Sequence, residues 1–193
     1  MMTSRYSDAL VYACDLHRAQ TRKGTDVPYV AHLLAVSALA LEHGADEDEA
    51  IAAVLHDAVE DQGGEPTEAA IRARFGDRVA DIVMGCTDAV VVPKPPWRER
   101  KERYVAHVAH ASPSIRLVSA CDKLHNARSI LGDYRVLGEA LWPRFTGGRD
   151  GTLWYYRALL DAFRASSPSI PSGLEAELER TVAELERLAA TSR

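Results

Sequence analysis

Apolar residues recur along this chain at spacings of three and four positions, and strict alternation of apolar and polar residues is uncommon. That spacing is the period of an amphipathic α-helix, and no run of β-branched residues is long enough to indicate a sheet. The pattern therefore predicts an all-α fold of about eight to ten helices. We expect helices at about 4–20, 28–43, 47–61, 67–75, 76–87, 98–111, 114–131, 150–165 and 172–190.

Several predicted helix ends carry residues that favour capping or termination. Pro28 suits the first turn of the second helix, Gly44 suits its end, and Asp46 suits the cap of the third helix. The stretch "AVVVPKPP" at 89–96 is predicted to be a loop, because its three prolines disfavour a strand. A second loop, "TGGRDG", is expected at 146–151.

A Ser/Pro-rich break at 166–173 separates the last predicted helix from the rest of the chain. We therefore expect one domain at 1–166 and a C-terminal helical appendage at 167–193. The chain has 193 residues and 47% hydrophobic content, which is enough to bury one sizeable core.

Composition excludes several kinds of partner. The formal net charge of −5 argues against nucleic acid, although a local basic pocket can still hold phosphates. No stretch approaches the ~18 apolar residues of a membrane span, and the N-terminus lacks an export signal. Cys14, Cys86 and Cys121 are far apart with no C-x-x-C spacing, so we expect a reducing compartment, the cytoplasm. The sequence leaves the oligomeric state open.

The stretch "VLHDAVED" at 54–61 carries one histidine and three carboxylates within an otherwise apolar helix pattern. On a regular helix Asp57 shares a face with Glu60 and Asp61, and His56 lies above Glu60. An imidazole beside a carboxylate suits a divalent ion such as manganese, iron or zinc. A helix-end ion pair followed by a solvated acidic tip is the simpler explanation for these residues alone.

Two further polar residues strengthen the metal hypothesis. His32 lies on a predicted apolar helix in "PYVAHLLAVSALA", and Asp122 follows an apolar stretch in "RLVSACDKLHNARSI". Burial of either group is costly unless the group is paired or bound to metal. Taken singly, such a histidine is more often a core residue, and an aspartate followed by lysine is more often a surface pair.

Four segments together resemble the HD-domain phosphohydrolases. They are "RKGTDVPYVAH", "LHDAVED", "FGDRVADIVMGCTD" and "CDKLHNAR", and the likeness covers about residues 5–165. The pattern is similar to the (p)ppGpp hydrolase domain of the RelA/SpoT family. We expect no synthetase or regulatory domain, and on that expectation the sequence most resembles the stand-alone small alarmone hydrolases, including the metazoan SpoT homologues.

The resemblance implies an HD-domain helical bundle and a Mn²⁺ ion held by His32, His56, Asp57 and Asp122. It further implies that Glu60 and Asp61 activate the water that removes pyrophosphate from the ribose 3′ position, giving GDP from ppGpp or GTP from pppGpp. Independently of the family, a divalent ion lowers the pKa of bound water, and a nearby carboxylate can take its proton. Which of the two carboxylates is the base stays open.

Basic residues gather in "TRKG" and in "WRERKERY". By resemblance, Arg22 and Lys23 would lie near the guanine and its phosphates, and Arg100 and Lys101 near the pyrophosphate. The second group could equally be a solvated face of alternating charges. The resemblance also assigns Asn126 and Tyr155 to the nucleotide, and Tyr156 would replace Tyr155 under a one-residue shift.

Two other functions remain compatible with these residues. The chain could hydrolyse another phosphorylated nucleotide, such as the 2′-phosphate of NADPH, or it could be a non-catalytic nucleotide-sensing module. Product analysis with ppGpp and Mn²⁺ separates the three hypotheses.

Overall fold

The structure is a computed structural model, and it describes residues 1–88, 93 and 95–191. Within this part of the chain all regular structure is helical, apart from one isolated antiparallel bridge between Thr21 and Pro28. The all-α prediction is therefore confirmed. The helices are α1 (Ser4–Leu16), α2 (Val30–Glu42), α3 (Glu47–Leu55), α4 (Ala58–Asp61), α5 (Glu65–Phe75), α6 (Asp77–Cys86), α7 (Trp97–His110), α8 (Pro113–Leu137), a 3₁₀ helix (Gly138–Arg144), α9 (Gly148–Ala165) and α10 (Ser172–Thr191).

The short helix α3 lies at the centre of the molecule, in contact with α1, α2, α6 and α8. Its residues 50–55 are wholly buried, so this part of the helix is apolar on every side. It begins with a capping box in which Asp46 accepts from the backbone of Glu49, as the cap prediction expected. Close packing around these residues restricts movement of the backbone at the end of α3, so polar side chains that follow it are held in defined positions.

Several predicted boundaries differ from the structure. The first helix ends at Leu16 rather than near 20, α8 continues to Leu137, and α9 begins at Gly148 within the expected 146–151 loop. The predicted helix at 47–61 is interrupted after Leu55 and resumes at Ala58. The predicted 89–96 loop lies mostly outside the described residues.

The last helix, α10, packs against α8 and α9. Its Leu174, Leu178, Val182 and Leu185 are fully buried and belong to the same apolar cluster as the rest of the core. The division into a 1–166 domain and a 167–193 appendage stays a prediction. In the described part of the chain, none of the helices is long and apolar enough to cross a membrane.

Candidate metal centre and flanking cavities

Four polar side chains from three parts of the fold converge beside the end of α3. His32 lies on α2, Asp122 lies on α8, and His56 with Asp57 occupies the junction between α3 and α4. The Nε2 atom of His56 lies 3.1 Å from an oxygen of Asp57 and 3.6 Å from one of Asp122. The Nε2 atom of His32 lies 3.5 and 3.2 Å from the same two oxygens. The fold thus brings together all four residues that the sequence singled out.

The interruption between α3 and α4 allows His56 and Asp57 to point to one place. Neighbouring residues on a regular helix do not face each other, since they are about 100° apart. Asp57 departs from helical geometry with φ −98° and ψ −2°, and its carboxylate accepts a hydrogen bond of 2.6 Å from the Tyr29 hydroxyl. The prediction of one regular helix through 47–61 was therefore wrong at the residues that matter most for the site.

The outer nitrogens of both histidines have partners that direct the inner nitrogens toward the carboxylates. The Nδ1–H of His56 donates to the carbonyl oxygen of Ala53 at 2.8 Å. The Nδ1 atoms of His32 and His125 are 2.8 Å apart, so one of these rings donates to the other. Burial, followed by the nearby His32 and Arg22, lowers the pKa of His125 to about 4, and its neutral ring can accept this bond. His32 then donates from Nδ1, which leaves Nε2 as the nitrogen that faces the carboxylates of Asp57 and Asp122.

The charges of the cluster favour a bound cation. Burial opposes ionisation of Asp57, yet the adjacent histidines hold the pKa of its carboxyl well below the usual value. Burial likewise opposes ionisation of Asp122, but Lys123 and the histidines keep its pKa well below the usual value. Burial alone would lower the pKa of His56, whereas Asp57 and Asp122 raise it well above normal. Two anions here therefore attract positive charge strongly.

The donor atoms fit a divalent metal ion. Neither buried Nε2 atom of His32 and His56 has a hydrogen-bond partner among the described residues, although carboxylate oxygens lie close. Metal bonds to imidazole and carboxylate are about 2.0–2.2 Å, which places neighbouring ligand atoms about 2.8–3.6 Å apart for ligand–metal–ligand angles of about 90–110°. The four observed nitrogen–oxygen distances of 3.1–3.6 Å are close to that spacing. Mixed imidazole and carboxylate donors suit zinc, iron or manganese.

Glu60 and Asp61 follow the cluster on α4, each with a hydrogen bond that fixes its carboxylate. Glu60 accepts from the backbone N–H of Asp88 at 3.1 Å, and Asp61 accepts from the side-chain amide of Gln20 at 2.8 Å. Asp61 keeps one side in solvent, but desolvation of its carboxylate and the nearby Asp57 and Glu60 raise its pKa against the effect of Gln20. Both carboxylates line a cavity next to the cluster.

Two cavities flank the cluster and share a wall formed by Arg22, Tyr29 and Asn126. The smaller one, about 200 Å³, is almost entirely polar and contains Asp57, Glu60, Asp61, Asp88, Lys101, Asp122 and Lys123. The larger one, about 560 Å³, runs past His32 and His125 and includes apolar side chains such as Ile130 and Phe145. A small charged cavity beside a larger mixed one suits a phosphate group attached to a bulkier organic group.

Arg100 and Lys101 on α7 form ion pairs with Asp88, a residue to which the sequence analysis gave no role. Arg100 and Lys101 both bind one carboxylate oxygen of Asp88, with 2.8 Å for Lys101. Lys101 lines the smaller cavity, whereas Arg100 lies behind Asp88 and also donates to the carbonyl of Pro95. Burial and the neighbouring Lys123 lower the pKa of Lys101. This pair is therefore not a fully solvated face of alternating charges.

The other predicted nucleotide contacts lie around the larger cavity, with one exception. Arg22 donates to the Asn126 side chain at 2.7 Å, and both residues line both cavities, while exposed Lys23 lines only the larger one. Tyr155 is buried beside Lys101, and its hydroxyl has no partner among the described residues. Tyr156, the alternative under a one-residue shift, is the tyrosine of this pair that lines the larger cavity.

Four residues of the site were not assigned from the sequence: Tyr29, Asp88, Lys123 and His125. The side chain of Lys123 is 14% exposed and binds Asp122 at 2.5 Å, so the aspartate–lysine pair is largely internal rather than superficial. These residues all lie inside the segments "PYVAH", "CTD" and "DKLHN", so the segments themselves were the available signal. Their roles depend on contacts across the fold that spacing does not reveal.

The all-α fold with a histidine–aspartate pair at its centre is that of the HD-domain family, whose profile matches residues 9–151. The chain belongs to this family. Among its relatives, a protein of Xenopus tropicalis named guanosine-3′,5′-bis(diphosphate) 3′-pyrophosphohydrolase MESH1 is 36% identical over 126 residues, covering 64% of this chain and 68% of that protein. The human protein of the same name is 34% identical, with the same coverage of both chains.

Solved structures agree with this assignment. A metazoan orthologue of SpoT, described as hydrolysing ppGpp, matches 95% of this chain and 97% of its own with a TM-score of 0.78 and 26% identity. A protein of Listeria monocytogenes matches 83% of this chain and 99% of its own with a TM-score of 0.69 and 29% identity. The predicted RelA/SpoT-type resemblance is confirmed.

Proposed function

We propose that this protein removes the 3′-pyrophosphate of ppGpp or pppGpp, giving GDP or GTP and pyrophosphate. The observation that carries the proposal is the convergence of two histidines and two aspartates between a polar cavity and a larger mixed cavity. The 3′-pyrophosphohydrolase name of the animal relatives supports the same reaction, and so does the ppGpp-hydrolysing structural neighbour.

The metal ligands in this proposal are His32, His56, Asp57 and Asp122, and the proposed ion is Mn²⁺. When bound, the ion would lower the pKa of a water molecule and polarise a phosphoryl oxygen. His125 and Tyr29 would hold His32 and Asp57 in place through hydrogen bonds of 2.8 and 2.6 Å. Such outer partners commonly set both the orientation and the basicity of metal ligands.

The remaining polar residues have separate roles in the proposed reaction. Glu60 and Asp61, as a pair, would accept the proton of the attacking water. Arg22, Lys101 and Lys123 in the smaller cavity would neutralise the pyrophosphate, with Arg100 holding Asp88 behind them. Lys23, Asn126 and one of Tyr155 and Tyr156 would contact the nucleoside. A reducing compartment such as the cytoplasm fits the three separated cysteines, all of which are free.

The direct test is incubation of the protein with ppGpp and Mn²⁺, followed by separation of the nucleotide products. GDP and pyrophosphate are expected. Release of orthophosphate from NADPH without action on ppGpp would instead indicate a different phosphorylated nucleotide as substrate. Saturable binding of ppGpp without product would indicate a sensing module. Parallel reactions with Mg²⁺, Zn²⁺ and Fe²⁺ test the choice of ion.

Chelation is expected to stop turnover with little loss of helix content. The apolar faces of α2, α3 and α8 supply most of the burial, so removing the ion removes only one stabilising ligand. Far-UV circular dichroism before and after EDTA, with an activity assay on the same sample, checks this. Complete unfolding by EDTA would mean that the ion is structural.

His125→Leu is expected to weaken Mn²⁺ binding about 10- to 100-fold, because His32 loses the acceptor that fixes its ring. His125→Asn is the matched control, since its side-chain oxygen can take the place of Nδ1 and accept the same bond. Calorimetric titration of metal-free protein with Mn²⁺ measures the effect without turnover. Equal affinities for wild type and His125→Leu would show that His125 does not orient His32.

A further inference from the structure

The larger cavity extends along α8, away from the metal ligands. Asn126 and Asp133 are seven residues apart on this helix, so they lie on one face about 10 Å from each other along its axis. Both line the cavity, which also contains Arg144 from the 3₁₀ helix. A nucleoside whose 3′ substituent lies at the metal cluster would therefore direct its base toward Asp133 and Arg144.

Asp133 and Arg144 form a pair with hydrogen-bonding capacity to spare. A guanidinium nitrogen of Arg144 lies 3.3 Å from one carboxylate oxygen of Asp133, and the two side chains are 29% and 46% exposed. A long, partly exposed ion pair adds little to stability. The guanidinium has five N–H donors, and the second carboxylate oxygen can accept, so the pair can bind a ligand without being broken.

The loop before α2 fixes Arg144 at this end of the cavity. Gly24 has φ +74°, and a Cβ atom built on it would lie 3.2 Å from both Cδ and Nε of Arg144. The loop itself is closed by a backbone hydrogen bond of 2.8 Å from Arg22 to Val27. The backbone at Gly24 thus packs directly on the Arg144 side chain, which limits where the guanidinium can move.

Guanine matches this pair in its pattern of donors and acceptors. Its O6 and N7 atoms accept hydrogen bonds, and arginine binds both together. Its N1–H and 2-amino groups donate, and a carboxylate accepts from both. Adenine has a donor at position 6 and an acceptor at N1. Its 6-amino group would therefore face the N–H donors of Arg144, and its N1 atom would face the carboxylate of Asp133, so neither hydrogen bond could form. Ile130 and Phe145 add apolar surface to the same cavity, suited to the faces of a base.

We propose that Asp133 and Arg144 are specificity-determining residues that select guanine over adenine. Arg144 reads the acceptor atoms of the base, and Asp133 reads its donors. This inference rests on the proposed function, which places the 3′ substituent of the nucleotide at the metal cluster. It adds the residues that decide which base is accepted.

Calorimetry with GDP and ADP on Mn²⁺-loaded protein tests the inference without turnover. Wild type is expected to favour GDP by about 10- to 100-fold. Asp133→Asn and Arg144→Gln are each expected to lose most of this preference through weaker GDP binding. Asp133→Asn should also gain affinity for XDP, because the 2-oxo group of xanthine accepts from the new amide. Asp161→Asn, an exposed carboxylate on α9, is the control and should match wild type.

The outcomes separate the inference from the proposed function. If wild type does not distinguish GDP from ADP, or if both variants keep the wild-type preference, the base-reading assignment is overturned. Turnover of ppGpp by the same wild-type preparation would still support the reaction. If the wild-type protein does not hydrolyse ppGpp but prefers GDP, and the Asp133→Asn variant lacks this preference, then base selection is supported and the proposed reaction is not. Thermal melting of each variant confirms that it is folded.

Discussion

The double variant Glu60→Gln, Asp61→Asn is expected to keep its metal and to slow turnover of ppGpp by at least ~10²-fold, the usual weight of general base catalysis. The replaced carboxylates accept hydrogen bonds from Asp88 and Gln20, and the amide oxygens of the variant can accept the same bonds. Shape and local structure are thereby retained while both proton acceptors are lost. Nucleotide binding should survive or tighten, because negative charge near the phosphates is removed.

Metal content, ppGpp affinity by calorimetry and single-turnover rate on one preparation check this result. Glu65→Gln, an exposed carboxylate at the start of α5, is a matched control that should behave as wild type. Wild-type turnover by the double variant would remove both carboxylates from the mechanism. Loss of manganese from the double variant would mean that Glu60 or Asp61 is a metal ligand rather than a general base. The two single variants then show which carboxylate carries the larger effect.

Asp57→Ala is expected to lose both bound manganese and activity. Its carboxylate lies 3.1 and 3.5 Å from the two inner histidine nitrogens, so the variant loses one anionic ligand from the centre of the cluster. We expect metal affinity to fall by at least about 100-fold, more than for the loss of an outer partner. Elemental analysis and calorimetric titration with Mn²⁺ measure this directly.

Asp57→Asn separates charge from geometry in the same position. The amide oxygen can still accept from the Tyr29 hydroxyl, as the carboxylate does at 2.6 Å, but the negative charge is lost. Asp8→Ala, an exposed carboxylate on α1, controls for the general effect of removing a charge. An Asp57→Ala protein with full manganese content would place the ion elsewhere. Unfolding of this variant is not expected, since the Asp57 side chain is 24% exposed and the buried apolar residues of α3 are left intact.

The sequence was sufficient for the fold class and for the four residues of the cluster. Helical spacing marked most helices to within a few residues, because burial of an apolar face imposes that period directly on the chain. His32, His56, Asp57 and Asp122 were identifiable as polar groups within apolar helices, where burial requires a partner. The structure places them together. Their assignment as metal ligands remains the proposal tested by Asp57→Ala.

Tertiary structure alone decided how those residues are oriented and which others support them. The interruption at Asp57 breaks the helical period over a single junction, and the Tyr29 hydroxyl that binds there is distant in the sequence. His125 meets His32 across two helices, and Asp88 connects Glu60 to Arg100 and Lys101. Periodicity records which face of a helix is buried, whereas these contacts depend on how helices pack and on side-chain rotamers. The sequence therefore determined the fold class and the candidate donor atoms, and packing determined the direction in which each donor points.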